Sequence, residues 1–148
     1  MNIIGIDPGK SGAMVLICSR GEETIPAIEI YKFSGMTDRD ICDAIGKWSM
    51  NQDLHCYIEK VHAIHGSSAN NTWKFAGSYF TLKAFLIALK IPFEEVSPVK
   101  WQKVMGCLSK GDKNVTKAAA QRLFPDIKIT HAIADALLIA EYGRRIKK

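Results

Sequence analysis

The sequence predicts an α/β domain with a mixed sheet. Two observations carry this reading. Three apolar runs separated by short polar turns lie before residue 34 and read as an antiparallel meander. After them, segments of helical periodicity alternate with two more strand-like runs, giving the order βββ-α-β-α-β-α-α.

Ile3–Asp7 is the first predicted strand, and the turn Gly9-Lys10-Ser11-Gly12 follows it. Ala13–Cys18 is apolar nearly throughout, as a central strand is. Arg20-Gly21-Glu22-Glu23 reads as a hairpin loop, and Ala27–Phe33 alternates as a third strand. Thr37 and Asp38 offer an N-cap to a helix over Arg39–Met50, with Ile41, Ala44, Ile45 and Trp48 on one face. Leu54–Glu59 is a fourth strand. His62–Asn71 reads as a polar loop, and Thr72–Leu89 as a long helix. Pro92–Val96 is a fifth strand, and Pro98–Met105 a helical turn. Ser109–Asn114 reads as a basic loop. A helix over Val115–Phe124 stops at Pro125. The last helix covers Thr130–Ile146, with Ala134, Leu137, Leu138 and Tyr142 at core spacing, and a basic tail closes the chain.

The 148 residues suffice for one domain and fall short of two ordinary ones. Hydrophobic residues make up 47% and charged residues 24%, as in a folded soluble protein. No apolar run reaches membrane-spanning length, and no secretory signal is visible. Cys18, Cys42, Cys56 and Cys107 match no zinc or CxxC spacing, which predicts a reducing cytoplasmic setting. The net charge of +5 favours a polyanionic partner.

Three acidic positions carry the chemistry. Asp7 ends the first strand and Glu59 the fourth, while Asp135 lies inside the alanine-rich last helix. Each has an ordinary reading when taken singly. An Asp before Pro-Gly is often a turn residue, and a Glu at a strand end is usually solvated. An acid on an alanine-rich helix face is rarer. If the first and fourth strands are neighbours, Asp7 and Glu59 share one sheet edge, and the small residues around Asp135 let its helix approach closely. Three such carboxylates repel one another unless cations bind. Oxygen-only ligation suits Mg²⁺ or Mn²⁺. Two such ions can activate a water and stabilise the leaving oxygen of a phosphodiester.

Ile4-Gly5-Ile6-Asp7-Pro8-Gly9, Tyr57-Ile58-Glu59-Lys60-Val61 and Ala134-Asp135-Ala136-Leu137-Leu138-Ile139-Ala140 resemble the three signature segments of RuvC-like Holliday junction resolvases. The resemblance runs from residue 3 to about residue 142. It implies a ribonuclease-H-like mixed five-stranded sheet flanked by helices. It also implies a phage-type homodimeric endonuclease that cuts four-way DNA junctions symmetrically with two Mg²⁺ or Mn²⁺ ions per site and no small-molecule cofactor. Asp7, Glu59 and Asp135 then take the roles of catalytic, metal-binding carboxylates. The family often carries a further acid three or four positions before the last Asp; here those positions hold Ala132 and His131. His131 lies one helical turn from Asp135. It reads as a neutral metal ligand or proton acceptor, or else as a packing or capping residue.

Several residues are candidate DNA contacts. Lys10 lies in the glycine turn. His62, His65, Ser67, Ser68, Asn70 and Asn71 belong to the polar stretch after Glu59, and Trp73 and Lys74 follow. Trp73 reads equally as a stacking platform for an unpaired base and as a helix-start core residue. Lys100, Lys103, Lys110, Lys113 and Lys117 form a second basic group, suited to phosphates or to a solvated face, and the tail Arg144, Arg145, Lys147 and Lys148 a third. In the long helix, Phe75, Tyr79, Phe80, Leu82, Leu86 and Ile87 cannot share one face, which predicts packing on two sides, one of them against a second subunit.

Competing readings are a less selective nuclease for flaps, forks or branched DNA, and a catalytically weak junction-binding protein. A sugar-kinase-like ATP-binding fold shares the first motif but needs two such domains and phosphate loops.

Overall fold

The structure, a computed structural model, describes residues 1–18, 26–50, 53–61 and 68–147. Among them run β1 (Asn2–Asp7), β2 (Ala13–Cys18), β3 (Ala27–Lys32), α1 (Asp38–Ser49), β4 (Leu54–Glu59), α2 (Ala69–Ala88), β5 (Phe93–Val96), α3 (Pro98–Met105), α4 (Lys113–Leu123) and α5 (His131–Ile146). The strands form one sheet in the order β3-β2-β1-β4-β5. The meander β1-β2-β3 is antiparallel, whereas β4 runs parallel to β1 and β5 parallel to β4. This is a ribonuclease-H-like mixed sheet flanked by helices.

Side chains alternate across each strand, so the sheet builds two cores. Ile4 and Ile6 of β1 join Met14, Leu16, Cys56 and Ile58 under α1 and α2. Ile3 joins Val15, Ile17 and Tyr57 under α5, with Trp101 and Met105 of α3 and Ala119 and Ala120 of α4. Helix α5 lies closest to the sheet. A Cβ on Gly5 would overlap the Ala136 carbonyl oxygen and the Ala140 backbone nitrogen. A Cβ on Gly143 would strike the Tyr57 ring. Glycine on the strand and alanine on the helix therefore bring the two backbones together, as the alanine-rich sequence predicts.

Two helices begin two or more residues earlier than the sequence predicts. Helix α2 starts at Ala69 rather than Thr72, because the Ser68 hydroxyl accepts the Asn71 backbone N–H and caps it. Asn70 and Asn71 are thus helical rather than in a loop. Helix α4 starts at Lys113 rather than Val115, because the Asp112 carboxylate accepts the Asn114 N–H at 2.9 Å. At α1 the Thr37 cap is reinforced by a capping box with Asp40. The predicted hairpin loop at 20–23 and most of the polar loop at 62–71 lie outside the described residues.

Gly5→Ala is expected to lower the denaturant midpoint by the equivalent of about 1–3 kcal/mol, because the added methyl meets helix backbone that cannot rotate away. Gly46→Ala is its control. It lies inside α1 with open space around its missing Cβ, and is expected to raise stability by about 0.5–1 kcal/mol.

Candidate active site

Asp7 and Glu59 end neighbouring parallel strands, one position beyond the paired residues Ile6 and Ile58. Each stands two residues past a side chain or hydrogen that faces α5: Gly5 for Asp7, Tyr57 for Glu59. Strand alternation therefore turns both carboxylates toward α5. Asp135 lies on that helix, beside Ala136, where the helix approaches Gly5. All three line one pocket of about 540 Å³ together with Lys113 and the turn Pro8–Gly12. The turn is held by the Gly12 N–H donating to the Gly9 carbonyl at 3.0 Å. A Cβ on Gly12 would overlap the Asp7 carbonyl oxygen, so only glycine lets the turn close this tightly.

Burial, with repulsion between neighbouring acids at Asp7 and Glu59, favours the protonated form of these carboxyls. Asp7 is raised well above the usual carboxylate range by desolvation, then by the charges of Glu59 and Asp135, against the opposing charge of Lys113. Glu59 is raised to about 7, chiefly by burial. The Trp101 indole N–H works against that rise, donating to Glu59 Oε2 at 2.7 Å. Asp135 is raised by burial and eased by Thr116, Lys113 and His131. Its Oδ1 is buried with no hydrogen-bond partner. An orphaned carboxylate oxygen in a pocket of acids is a position that a cation completes. The donor set is all oxygen and fits a hard divalent ion. Among the described residues, no three His, Cys, Asp or Glu side chains are drawn close enough to share one ion. The carboxylates share a pocket rather than a common ligand point.

No protein-family profile matches this sequence, and no curated protein matches it significantly. Solved structures do. The RuvC structure of Thermus thermophilus superposes with a TM-score of 0.60 at 15% identity, covering 99% of this chain and 97% of that one. T. thermophilus RuvC in complex with Holliday junction substrate gives 0.64 at 14% identity, covering 99% and 96%. The fowlpox virus Holliday junction resolvase gives 0.61 at 11% identity, covering the whole of both chains. The chain has the RuvC resolvase fold.

Within this RuvC-like fold the other expected residues scatter. His131 is the exposed first residue of α5. It acts on Asp135 through its charge but is not part of the pocket wall. Lys10 and Lys113 line the pocket, whereas Lys110 and Lys117 do not. Lys110 is exposed in a left-handed turn, at φ 48°. Asn70 and Lys74 lie exposed in the first turns of α2. Trp73 is 81% exposed, which rules out the core reading of that residue. His62, His65 and Ser67 fall outside the described residues. Trp101 and Thr116 carry no sequence signal of their own. Their indole and hydroxyl reach the carboxylates only through the packing of α3 and α4.

Because Glu59 titrates near 7 when folded and near its ordinary 4.5 when unfolded, the folded chain holds the extra proton between those values. Stability of the cation-free protein is therefore expected to fall as pH rises from about 5 to 8. His55, lowered mainly by burial, acts in the opposite sense. Glu59→Gln isolates the site: its melting temperature is expected to vary less across this range than that of the wild type.

Proposed function

We propose that this chain is a metal-dependent, structure-selective DNA endonuclease that resolves four-way junctions by phosphodiester hydrolysis. One observation carries the reading. Asp7, Glu59 and Asp135 line a single pocket, in a fold shared with the T. thermophilus and fowlpox virus Holliday junction resolvases. The net charge of +5 suits a polyanion.

Asp7, Glu59 and Asp135 would hold the cations, two Mg²⁺ or Mn²⁺ ions by the family resemblance. Bound there, such ions would activate a water and stabilise the departing oxygen of the scissile phosphate. The chain's own groups prepare the site. The Trp101 indole fixes one oxygen of Glu59 and leaves the other to the pocket. Lys113 partly offsets the charge of all three acids before any ion or DNA arrives. With DNA present, Lys113 and Lys10 face the incoming phosphate from the same pocket. By the family resemblance, His131, one turn before Asp135, would serve as a neutral metal ligand or as a proton acceptor for the attacking water.

Helix α2 supplies the partner surface. Tyr79, Leu82 and Leu86 are buried against the sheet, while Trp73, Phe80 and Ile87, spaced seven apart, are 81, 62 and 64% exposed. An apolar stripe at that spacing suits a second helix of the same kind. A twofold dimer across α2 would set two pockets on opposing strands of a junction that is itself nearly twofold.

Four measurements test this. Wild-type protein with Mg²⁺ or Mn²⁺ is expected to cut a mobile four-way junction in paired, symmetric fashion and to leave linear duplex intact; equal cutting of Y-forks would overturn the junction selectivity. Asp7→Asn, Glu59→Gln and Asp135→Asn are each expected to lose cleavage by about a hundredfold or more while keeping binding. His131→Ala is expected to lose most cleavage with binding retained, and near-normal turnover would remove His131 from the mechanism. Phe80→Asp is expected to yield a monomer by light scattering and to uncouple the paired cuts; an unchanged mass, or a monomeric wild type, would refute the α2 dimer.

A further inference from the structure

A second cavity, of about 660 Å³, adjoins the carboxylate pocket. The two share the walls Gly9, Lys10 and Phe75. The Phe75 ring lies against Gly9, where an added Cβ would stand 2.9 Å from it, and forms the divider. The floor is Phe33, Met36, Ile41 and Phe75, and lysines 10 and 74 stand on its walls. The volume falls within the range of small-molecule sites, about 300–1,000 Å³.

We propose that this cavity receives one unstacked base of the strand whose phosphate enters the carboxylate pocket, a subsite that rests on the endonuclease reading above. Three features select that occupant. The cavity opens beside the proposed reacting centre, so a nucleotide flanking the cut lies within reach of it. Its floor is apolar and partly aromatic, and every base offers a face that can stack on such a floor. Its charges divide the nucleotide. The Asp38 carboxylate on the cavity wall repels a phosphate, whereas Lys10 and Lys74 attract one. A base inside and a backbone held outside satisfy both. The unpaired centre of a branched junction can release such a base at lower cost than continuous duplex. The cavity would thereby tie cutting to branched structure at the site itself.

The test is a cycle between one nucleotide and one wall of the cavity. Non-cutting Asp7→Asn protein is titrated with junctions in which each nucleotide flanking the cut is replaced in turn by an abasic residue. One position is expected to weaken binding by about tenfold, as the loss of one stacked base does. Ser78→Leu, on the α2 wall and a better helix former than serine, fills the cavity. In that background the penalty at the same position is expected to vanish, because the base is already excluded. Thr81→Leu, on the same wall, is expected to behave alike and serves if Ser78→Leu folds poorly. Equal abasic penalties with and without the filled cavity would overturn the inference. So would an intact penalty accompanied by a changed oligomeric state, which would make the cavity a subunit contact. Binding with no position-specific penalty overturns this inference alone, whereas no junction binding at all overturns the endonuclease reading with it.

Discussion

The close approach of α5 to β1 sets the geometry on which everything else depends. Gly5 contributes no side chain, and Ala136 and Ala140 contribute one carbon each, so helix and strand meet nearly backbone to backbone. That contact carries Asp135 over the ends of β1 and β4, where Asp7 and Glu59 already share an edge. A bulkier residue at Gly5 would lift the helix and take one acid away from the other two. The cluster is costly in return. Desolvation raises all three acids and the charges of neighbouring acids add to it at Asp7 and Glu59, while Trp101, Thr116 and Lys113 relieve only part of that. A site that is unfavourable without cations and holds an unpartnered carboxylate oxygen has a driving force for binding them.

Both layers are pinned so that this edge keeps its shape. At the far end of α5, the buried Glu141 carboxylate accepts from Arg144 at 2.7 Å and from Arg145 at 2.9 Å. Nearby, Glu94 accepts from or pairs with His55, Tyr57 and Lys147, which ties the helix end to β4 and β5. On the opposite layer, Tyr79 and Lys83 of α2 both donate to Glu95 of β5. That latch fixes the rotation of α2. It places Phe75 between the two cavities and turns Trp73, Phe80 and Ile87 outward. The wall shared by the two cavities and the exposed apolar stripe thus follow from one helix orientation.

The sheet was legible in the sequence because its strands are short apolar runs cut by clear turns, and the carboxylates because each interrupts an apolar pattern. The two-sided character of α2 was legible from residues too numerous for one face. Cap chemistry was harder to read. Ser68 and Asp112 each start a helix inside a stretch whose polar composition also suits a loop, and the early start of α4 brings Lys113 to the acids. The Trp101 contact to Glu59 spans 42 positions in sequence, and no local pattern announces it. Trp73 shows the limit from the other side: an aromatic at a helix start carries no sign of which way it points. His131 was legible as a neighbour of Asp135 by helical spacing. Its position outside the pocket wall depends on how far α5 extends past the sheet.

The central claim, as proposed above, is that Asp7, Glu59 and Asp135, brought into one pocket by that helix contact, together bind divalent cations. Calorimetric titration of Mn²⁺ into the DNA-free protein at pH 8 tests it most directly. The account expects saturable binding in the wild type, weakened by about tenfold or more in each of Asp7→Asn, Glu59→Gln and Asp135→Asn. Wild-type protein that binds no Mn²⁺, or that binds it equally well after any one of these three substitutions, would contradict it.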